Sequence, residues 1–163
     1  MLIPIEMEIS ILQQVRKMET MVFLLSPKER AQKYWAGFLY KTLIECERKF
    51  KWLSFKLNNK ILEGKGTLIV NHKEYHISIF CSPFLDGRFE RVTVETKNLI
   101  KSFDTHFNAD GSLCLYHPFL DLKGKPYMEL VEVIPWISEW VNYYDYYLKY
   151  KVWLGPEHPH NFK

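Results

Sequence analysis

The feature of the sequence that most constrains the fold is the spacing of apolar residues between residues 50 and 95. From 74 to 81 apolar side chains stand at every second position, which is the period of a β-strand with one buried face. Comparable short segments lie at 50–57, 61–70 and 89–95, and turn-forming residues separate them at Asn58-Asn59, Asn71-His72-Lys73 and Asp86-Gly87. Because such short turns join antiparallel neighbours, the pattern predicts a four-stranded antiparallel meander.

Helical patterns precede this sheet. Residues 6–24 carry apolar residues at mixed spacing and suggest an N-terminal helix. The segment Ser26-Pro27-Lys28-Glu29 has the form of a capping box with proline at the first helical position. A second helix is therefore predicted from Pro27 to about Glu47, and its apolar residues recur at threes and fours, which gives it a buried face.

An irregular segment and an aromatic helix follow the sheet. No period holds from residue 96 to Val133, and a loop of this length in a compact domain is usually functional. Pro135 is predicted to begin a last helix that Gly155-Pro156 ends. Its aromatic residues are predicted to be mostly core, with part of the stripe a hypothetical partner surface: Trp136, Trp140, Tyr143, Tyr144 and Tyr147. The whole pattern predicts a single α+β domain over residues 1–163.

Charge and cysteine content restrict the setting of the protein. Twenty-two basic residues nearly balance nineteen acidic ones and form no basic stripe, so binding to nucleic acid is not indicated. Three cysteines without a signal peptide, and no apolar run of about 18 residues, predict a reduced, cytoplasmic protein without a membrane span. Cys46 and Cys81 stand in periodic apolar contexts and are predicted to be core thiols.

The third cysteine lies in the irregular segment among polar residues. Asp110-Gly111 predicts a tight turn that places the thiol of Cys114 near the surface. His106 or His117 could favour its thiolate, and Asn108 or a backbone amide could stabilise a tetrahedral oxyanion. These residue types fit acyl transfer through sulfur.

A metal site is the competing chemistry for the same residues. Cys114-x-x-His117 and His158-Pro159-His160 contain zinc-ligand types, but the chain has no paired Cys-x-x-Cys. His72 and His76 are predicted to be solvent-facing residues of a hairpin. The sequence therefore predicts neither a metal nor a cofactor, and a zinc-dependent hydrolase or structural zinc protein is a third alternative.

Three sequence blocks resemble a known family. They are Leu113-Cys114-Leu115-Tyr116-His117-Pro118, Pro135-Trp136-Ile137-Ser138-Glu139-Trp140 and Trp153-Leu154-Gly155-Pro156-Glu157-His158-Pro159. The order resembles ubiquitin-conjugating enzymes, and most closely a bacterial branch from CBASS antiphage operons (cyclic-oligonucleotide-based signalling). His106-Phe107-Asn108 stands where the eukaryotic enzymes carry His-Pro-Asn. The resemblance covers roughly residues 103–160 and implies a ubiquitin-conjugating-enzyme-like fold with an active-site loop between the meander and the aromatic helix.

The resemblance also implies a reaction and a partner. Cys114 would form a thioester with the C-terminus of a partner protein, expected to be a cGAS-like nucleotidyltransferase, and would pass it on. A separate activating enzyme would carry out adenylation, because the sequence has no glycine-rich nucleotide-binding loop. Cys114, His106, Asn108 and His117 form the predicted catalytic set. The alternative is a catalytically inactive module of the same fold that binds and scaffolds the nucleotidyltransferase.

Overall fold

The computed structural model of the chain describes Gln13 and residues 24–156, without the side chain of Phe119. This part is α+β, with helices and strands in the order α1 Pro27–Lys33, α2 Trp35–Lys49, β1 Leu53–Asn58, β2 Ile61–Val70, β3 Lys73–Cys81, β4 Glu90–Glu95, α3 Pro118–Asp121 and α4 Leu130–Tyr150. The N-terminal helix predicted over 6–24 lies outside the described residues, apart from Gln13 and Leu24. Within the described ranges, no helix has both the length and the apolar character needed to cross a membrane.

The four strands form one antiparallel sheet in the order β1-β2-β3-β4, so the predicted meander is confirmed. The β2–β3 turn has two central residues in the left-handed region, Asn71 at φ 49° and His72 at φ 63°, which suits the right-handed twist of a two-residue hairpin. Alternate residues of β3 face the core, as the period predicted: Tyr75, Ile77, Ile79 and Cys81. The sheet thus packs one face against the helices.

The helix predicted from Pro27 to Glu47 is two helices, and this prediction is wrong in that respect. The capping box is present, because Ser26 N–H donates to Glu29 Oε2 at 2.7 Å and Glu29 N–H donates to Ser26 Oγ at 3.2 Å. The chain leaves helical geometry at Tyr34, with φ −110° and ψ 34°. No change in apolar spacing marks this position, because the buried residues continue at helical intervals on both sides of it.

The start of the last helix is also earlier than predicted. Helix α4 begins at Leu130, and Pro135 lies inside it with an exposed side chain. Glu129 is the N-cap residue, and its N–H donates to Glu132 Oε2 at 3.4 Å. The apolar residues of the first turn are buried, so the turn belongs to the core: Leu130, Val133 and Ile134. Burial of this turn offsets the backbone hydrogen bond that Pro135 cannot make.

The helix ends at Tyr150, before the predicted stop at Gly155-Pro156. Lys151 takes a left-handed conformation, with φ 60°, and its N–H donates to the Tyr147 carbonyl at 2.8 Å. Residues 151–156, here called the C-terminal strap, lie against α4. A Cβ at Gly155 would stand 2.7 Å from Trp153 Nε1 and 2.7 Å from the Tyr143 ring, so only glycine fits without a shift of these rings.

Cys46 and Cys81 are core residues, as predicted, with exposures of 0% and 2%. Burial raises the pKa of the Cys46 thiol to about 12, and burial also raises the pKa of Cys81. Both thiols therefore stay protonated and unreactive at neutral pH.

Candidate active site

Residues 106–114 form a tight hairpin that carries three of the four predicted catalytic residues, His106, Asn108 and Cys114. The backbone N–H of Asn108 donates to the Ser112 carbonyl at 2.8 Å, and that of Gly111 donates to the Asn108 carbonyl at 2.9 Å. Gly111 has φ 79°, which glycine adopts without steric cost, and the Asp110-Gly111 turn is thus present. The N–H of Cys114 donates to the His106 carbonyl at 2.8 Å, so these two residues lie side by side at the hairpin ends.

The sheet and the last helix hold this hairpin in place. The N–H of Leu113 donates to the Val92 carbonyl of β4 at 2.8 Å. Upstream, the fully buried Thr105 donates its hydroxyl to the Ile100 carbonyl at 3.0 Å. The N–H of Ile100 in turn donates to the Tyr144 hydroxyl of α4 at 2.7 Å. The hairpin that leads to the cysteine is therefore attached both to the sheet and to the last helix, as a positioned site requires.

The side chain of Asn108 is directed into its own hairpin. Its Nδ2 donates to the Leu113 carbonyl at 2.9 Å, and it lies 3.1 Å from Ser112 Oγ and 3.3 Å from the Ser112 carbonyl. A primary amide has two hydrogen atoms, so these acceptors occupy both. The structure brings Asn108 close to Cys114 in the hairpin, but an oxyanion role requires the amide to leave these acceptors.

His106 has an unusual backbone conformation for a non-glycine residue. Its φ of 55° lies in the left-handed region, which costs a histidine about 1 kcal/mol or more. Several contacts hold it there: its N–H donates to the Phe103 carbonyl at 2.9 Å, its carbonyl accepts from Cys114, and its ring stacks on Trp153 with centroids 4.5 Å apart and planes 23° apart. The strap therefore contacts the active-site hairpin directly.

His117 lies on the other side of the cysteine and caps the short helix α3. Its N–H donates to Asp121 Oδ2 at 2.6 Å, and its carbonyl accepts from the N–H of Asp121 at 2.9 Å. The side chain is half-buried. The structure thus brings His106, Cys114 and His117 together.

Two cavities meet at Cys114. The larger, of about 340 Å³, has an aromatic wall formed by Trp136, Trp140, Tyr143 and Trp153. The smaller, of about 200 Å³, has a wall formed by Arg88, Phe103, Phe107, Asn108 and Pro118. His106, Cys114 and His117 line both cavities. The half-buried thiol residue therefore borders two adjoining spaces.

The ionisation of the thiol is set by opposing effects. Burial raises the pKa of Cys114 above its ordinary value, the Arg88 guanidinium lowers it, and the Asp121 carboxylate raises it. The net effect is a raised pKa, so the thiol is mainly protonated at neutral pH. A reaction at this sulfur needs a group that removes the proton as the new bond forms.

Arg88 and Glu90 belong to this site although the sequence analysis missed them. Glu90 begins β4 and is 2% exposed, Tyr116 donates its hydroxyl to Glu90 Oε1 at 2.9 Å, and Arg88 Nη1 lies 3.8 Å from the same oxygen. Glu90 Oε2 has no hydrogen-bond partner among the described residues. Burial raises the pKa of Glu90, against the hydrogen bond from Tyr116 and the charge of Arg88. Neither residue stands in a motif, so the sequence carried no signal for them.

The aromatic residues of α4 divide between core and cavity. Trp140 and Tyr144 are buried, with exposures of 3% and 0%, so the core prediction is confirmed for them. Trp136 and Tyr143 are half-buried and line the larger cavity. Helix α4 has more aromatic residues than the core can bury. This excess was the sequence signal that could have predicted the aromatic wall of the larger cavity.

No group of three or more His, Cys, Asp or Glu side chains suited to a metal ion occurs in the part of the chain that the structure describes. Cys114 and His117 line the same cavities, whereas the other predicted zinc-ligand types, His158-Pro159-His160, lie outside that part.

Comparison with known proteins supports the family resemblance that the three sequence blocks indicate. A family model described as type II CBASS E2 protein matches residues 42–161, and it therefore includes the C-terminal half of α2, the sheet, the cysteine hairpin and the aromatic helix. No curated protein and no solved structure matches the chain. Since the family model covers most of the sequence, the chain belongs to the family of type II CBASS E2 proteins.

Proposed function

We propose that this protein is a ubiquitin-conjugating-type acyl carrier, in which Cys114 accepts the C-terminus of a partner protein as a thioester and passes it on. The observation that carries the proposal is the position of Cys114 on the border of two cavities. A residue that meets an acyl donor and then an acceptor needs two approaches. By family resemblance the donor is a cGAS-like nucleotidyltransferase, and its conjugation regulates antiphage signalling.

The chemistry has two balanced steps. In the first, the sulfur attacks the carbonyl carbon of a C-terminus that a separate enzyme has adenylated; a C–S bond forms, and AMP leaves as the C–O bond breaks. The thiol proton passes to His106 or His117, the two bases that line both cavities beside the sulfur. In the second, an acceptor nitrogen forms a C–N bond as the C–S bond breaks, and the sulfur regains a proton.

The larger cavity suits the peptide tail of the donor. Its volume and aromatic wall fit an extended chain of small residues. The indole N–H groups of Trp140 and Trp153 are buried and have no hydrogen-bond acceptor within residues 24–156, so a peptide carbonyl could accept from either of them only after the ring shifts. The smaller cavity, on the side of Arg88 and Phe103, is then the approach for the acceptor.

The test is covalent loading from a peptide thioester with the C-terminal residues of the nucleotidyltransferase, which bypasses the activating enzyme. Mass spectrometry under non-reducing conditions is expected to show one adduct on Cys114, and dithiothreitol is expected to release it. Cys114→Ala should give no adduct. Cys114→Ser should give, if any, an adduct that resists dithiothreitol and yields to hydroxide.

Cys46→Ala and Cys81→Ala are the matched controls, because both residues are buried thiols away from the cavities. Both variants should load like the natural protein. Absence of an adduct on Cys114 in a folded protein that still binds the nucleotidyltransferase would contradict the proposal. Intact phage defence in cells that carry Cys114→Ala would point to the inactive scaffold instead.

A further inference from the structure

Arg88 is a cationic residue just before β4 that contacts the cysteine hairpin. Its Nη2 donates to Ser112 Oγ at 3.0 Å, and its Nη1 donates to the Leu113 carbonyl at 3.4 Å. Leu113 is the residue immediately before Cys114, so the guanidinium holds the backbone that leads into the thiol. Arg88 and Cys114 also line the same smaller cavity.

The position of the guanidinium is itself fixed by its surroundings. The Arg88 side chain is 15% exposed, and it lies 3.8 Å from Glu90 and 3.9 Å from Asp110. Arg91 donates through Nη1 to the Arg88 carbonyl at 2.9 Å, and its Nε lies 2.8 Å from Asp110 Oδ2. These contacts leave the guanidinium little freedom to turn away from the hairpin.

We propose that Arg88 is a positioning residue of the active site, which fixes the hairpin before Cys114 and supplies positive charge that stabilises the thiolate and the oxyanion formed from it. A guanidinium keeps its charge throughout the accessible pH range. In a half-buried site the field of such a charge is screened less than in water. The inference deepens the proposed function, but the ionisation of the thiol is measurable without any substrate.

Other charged or titratable groups face the same sulfur. Asp121 on α3 opposes Arg88 by favouring the neutral thiol. His106 and His117 flank the cysteine, and Glu139 on α4 lines the larger cavity. Among the residues that line the two cavities, Arg88 is the arginine. Without its charge, no guanidinium in the cavity walls would oppose the carboxylates of Asp121 and Glu139.

The test follows the rate of Cys114 alkylation by iodoacetamide as a function of pH, with the modified residue located by mass spectrometry. Arg88→Gln is expected to shift the midpoint upward by about half a pH unit or more, because the thiolate loses a nearby opposite charge. Arg88→Lys should keep the midpoint close to that of the natural protein, since the charge remains. Thioester formation from the peptide probe should fall in Arg88→Gln and recover in Arg88→Lys.

Two further variants keep the inference falsifiable. Arg48→Gln is the control, because Arg48 is an exposed arginine of α2 that lines neither cavity, and its midpoint should not move. Arg88→Met replaces the guanidinium with an uncharged side chain and should also shift the midpoint upward, which provides a second test if Arg88→Gln does not fold. An unchanged midpoint in folded Arg88→Gln or folded Arg88→Met would overturn the inference. Correct shifts together with no thioester would instead refute the proposed function alone.

Discussion

At the scale of single residues, Asn108 links the stability of the active-site hairpin to its chemistry. Its amide donates to the Leu113 carbonyl and approaches Ser112, on the strand of the hairpin that carries Cys114. A side chain that only stabilised the oxyanion would affect the rate of Cys114 loading and leave the free energy of unfolding unchanged. A residue that holds the hairpin affects both the rate and the free energy of unfolding.

Asn108→Ala is therefore expected to lower the free energy of unfolding by about 1 kcal/mol and to slow loading of Cys114. Urea denaturation and the peptide thioester assay measure the two effects. Asn142→Ala is the control, because Asn142 is exposed and its amide bonds only to a carbonyl of its own helix, that of Ser138. Slower loading of Asn108→Ala at unchanged stability would instead assign the amide to the oxyanion.

What the sequence predicts at this scale depends on local motifs. One short segment contains Cys114, His106 and His117. The predicted Asp110-Gly111 turn and the family resemblance of the block around Cys114 were therefore enough to group these residues in one candidate site. Arg88 and Glu90 come from the β3–β4 connection and the start of β4. They reach the site only because Leu113 pairs with Val92, a tertiary contact with no sequence signal of its own.

At the scale of elements, the strands were easier to predict than the helix limits. The two-residue period and the turn residues act locally, and the strand 61–70 is observed with the predicted limits. The start of α4 depends instead on burial of Leu130, Val133 and Ile134 against the rest of the fold. Proline at Pro135 was a local signal for a helix start, and tertiary burial overrode it.

The proline inside α4 gives a prediction for this element. Pro135 cannot donate a hydrogen bond to the carbonyl one turn earlier, and its exposed side chain fills no core space. Pro135→Ala is expected to raise the free energy of unfolding by about 1 kcal/mol or more, as measured by urea denaturation. The exposed Asn142 in the same helix offers Asn142→Ala for comparison, with little expected change. A loss of stability in Pro135→Ala would show that the ring stabilises the helix in another way.

At the scale of the whole molecule, Glu90 makes stability depend on pH. Burial raises its pKa above the ordinary value of 4.5, so the folded protein keeps a proton that the unfolded chain has already lost. The free energy of unfolding therefore falls as the pH rises from about 4.5 to the raised pKa, and it levels off above that. Above the raised pKa, the folded protein bears the cost of a buried carboxylate.

Glu90→Gln is expected to remove this fall and to raise the free energy of unfolding at neutral pH by about 1 kcal/mol, because a neutral amide still accepts the hydrogen bond from Tyr116. Urea denaturation at acid and neutral pH measures the difference. Glu95→Gln, at the exposed end of the same strand, should leave that difference unchanged. A lower stability of Glu90→Gln at neutral pH would mean that the pair with Arg88 outweighs the cost of burial.

Because Trp153 stacks on His106 and lines the larger cavity, the fluorescence of this indole is expected to report whether the cavity is occupied. The indole is at once a neighbour of the cysteine hairpin and a wall of the larger cavity, so a tail that enters must change what the ring face touches. Emission of an indole responds to such changes. If Cys114 carries the proposed thioester, its loading is expected to change this emission in real time without a dye, and the part of the signal that disappears in Trp153→Phe belongs to this ring.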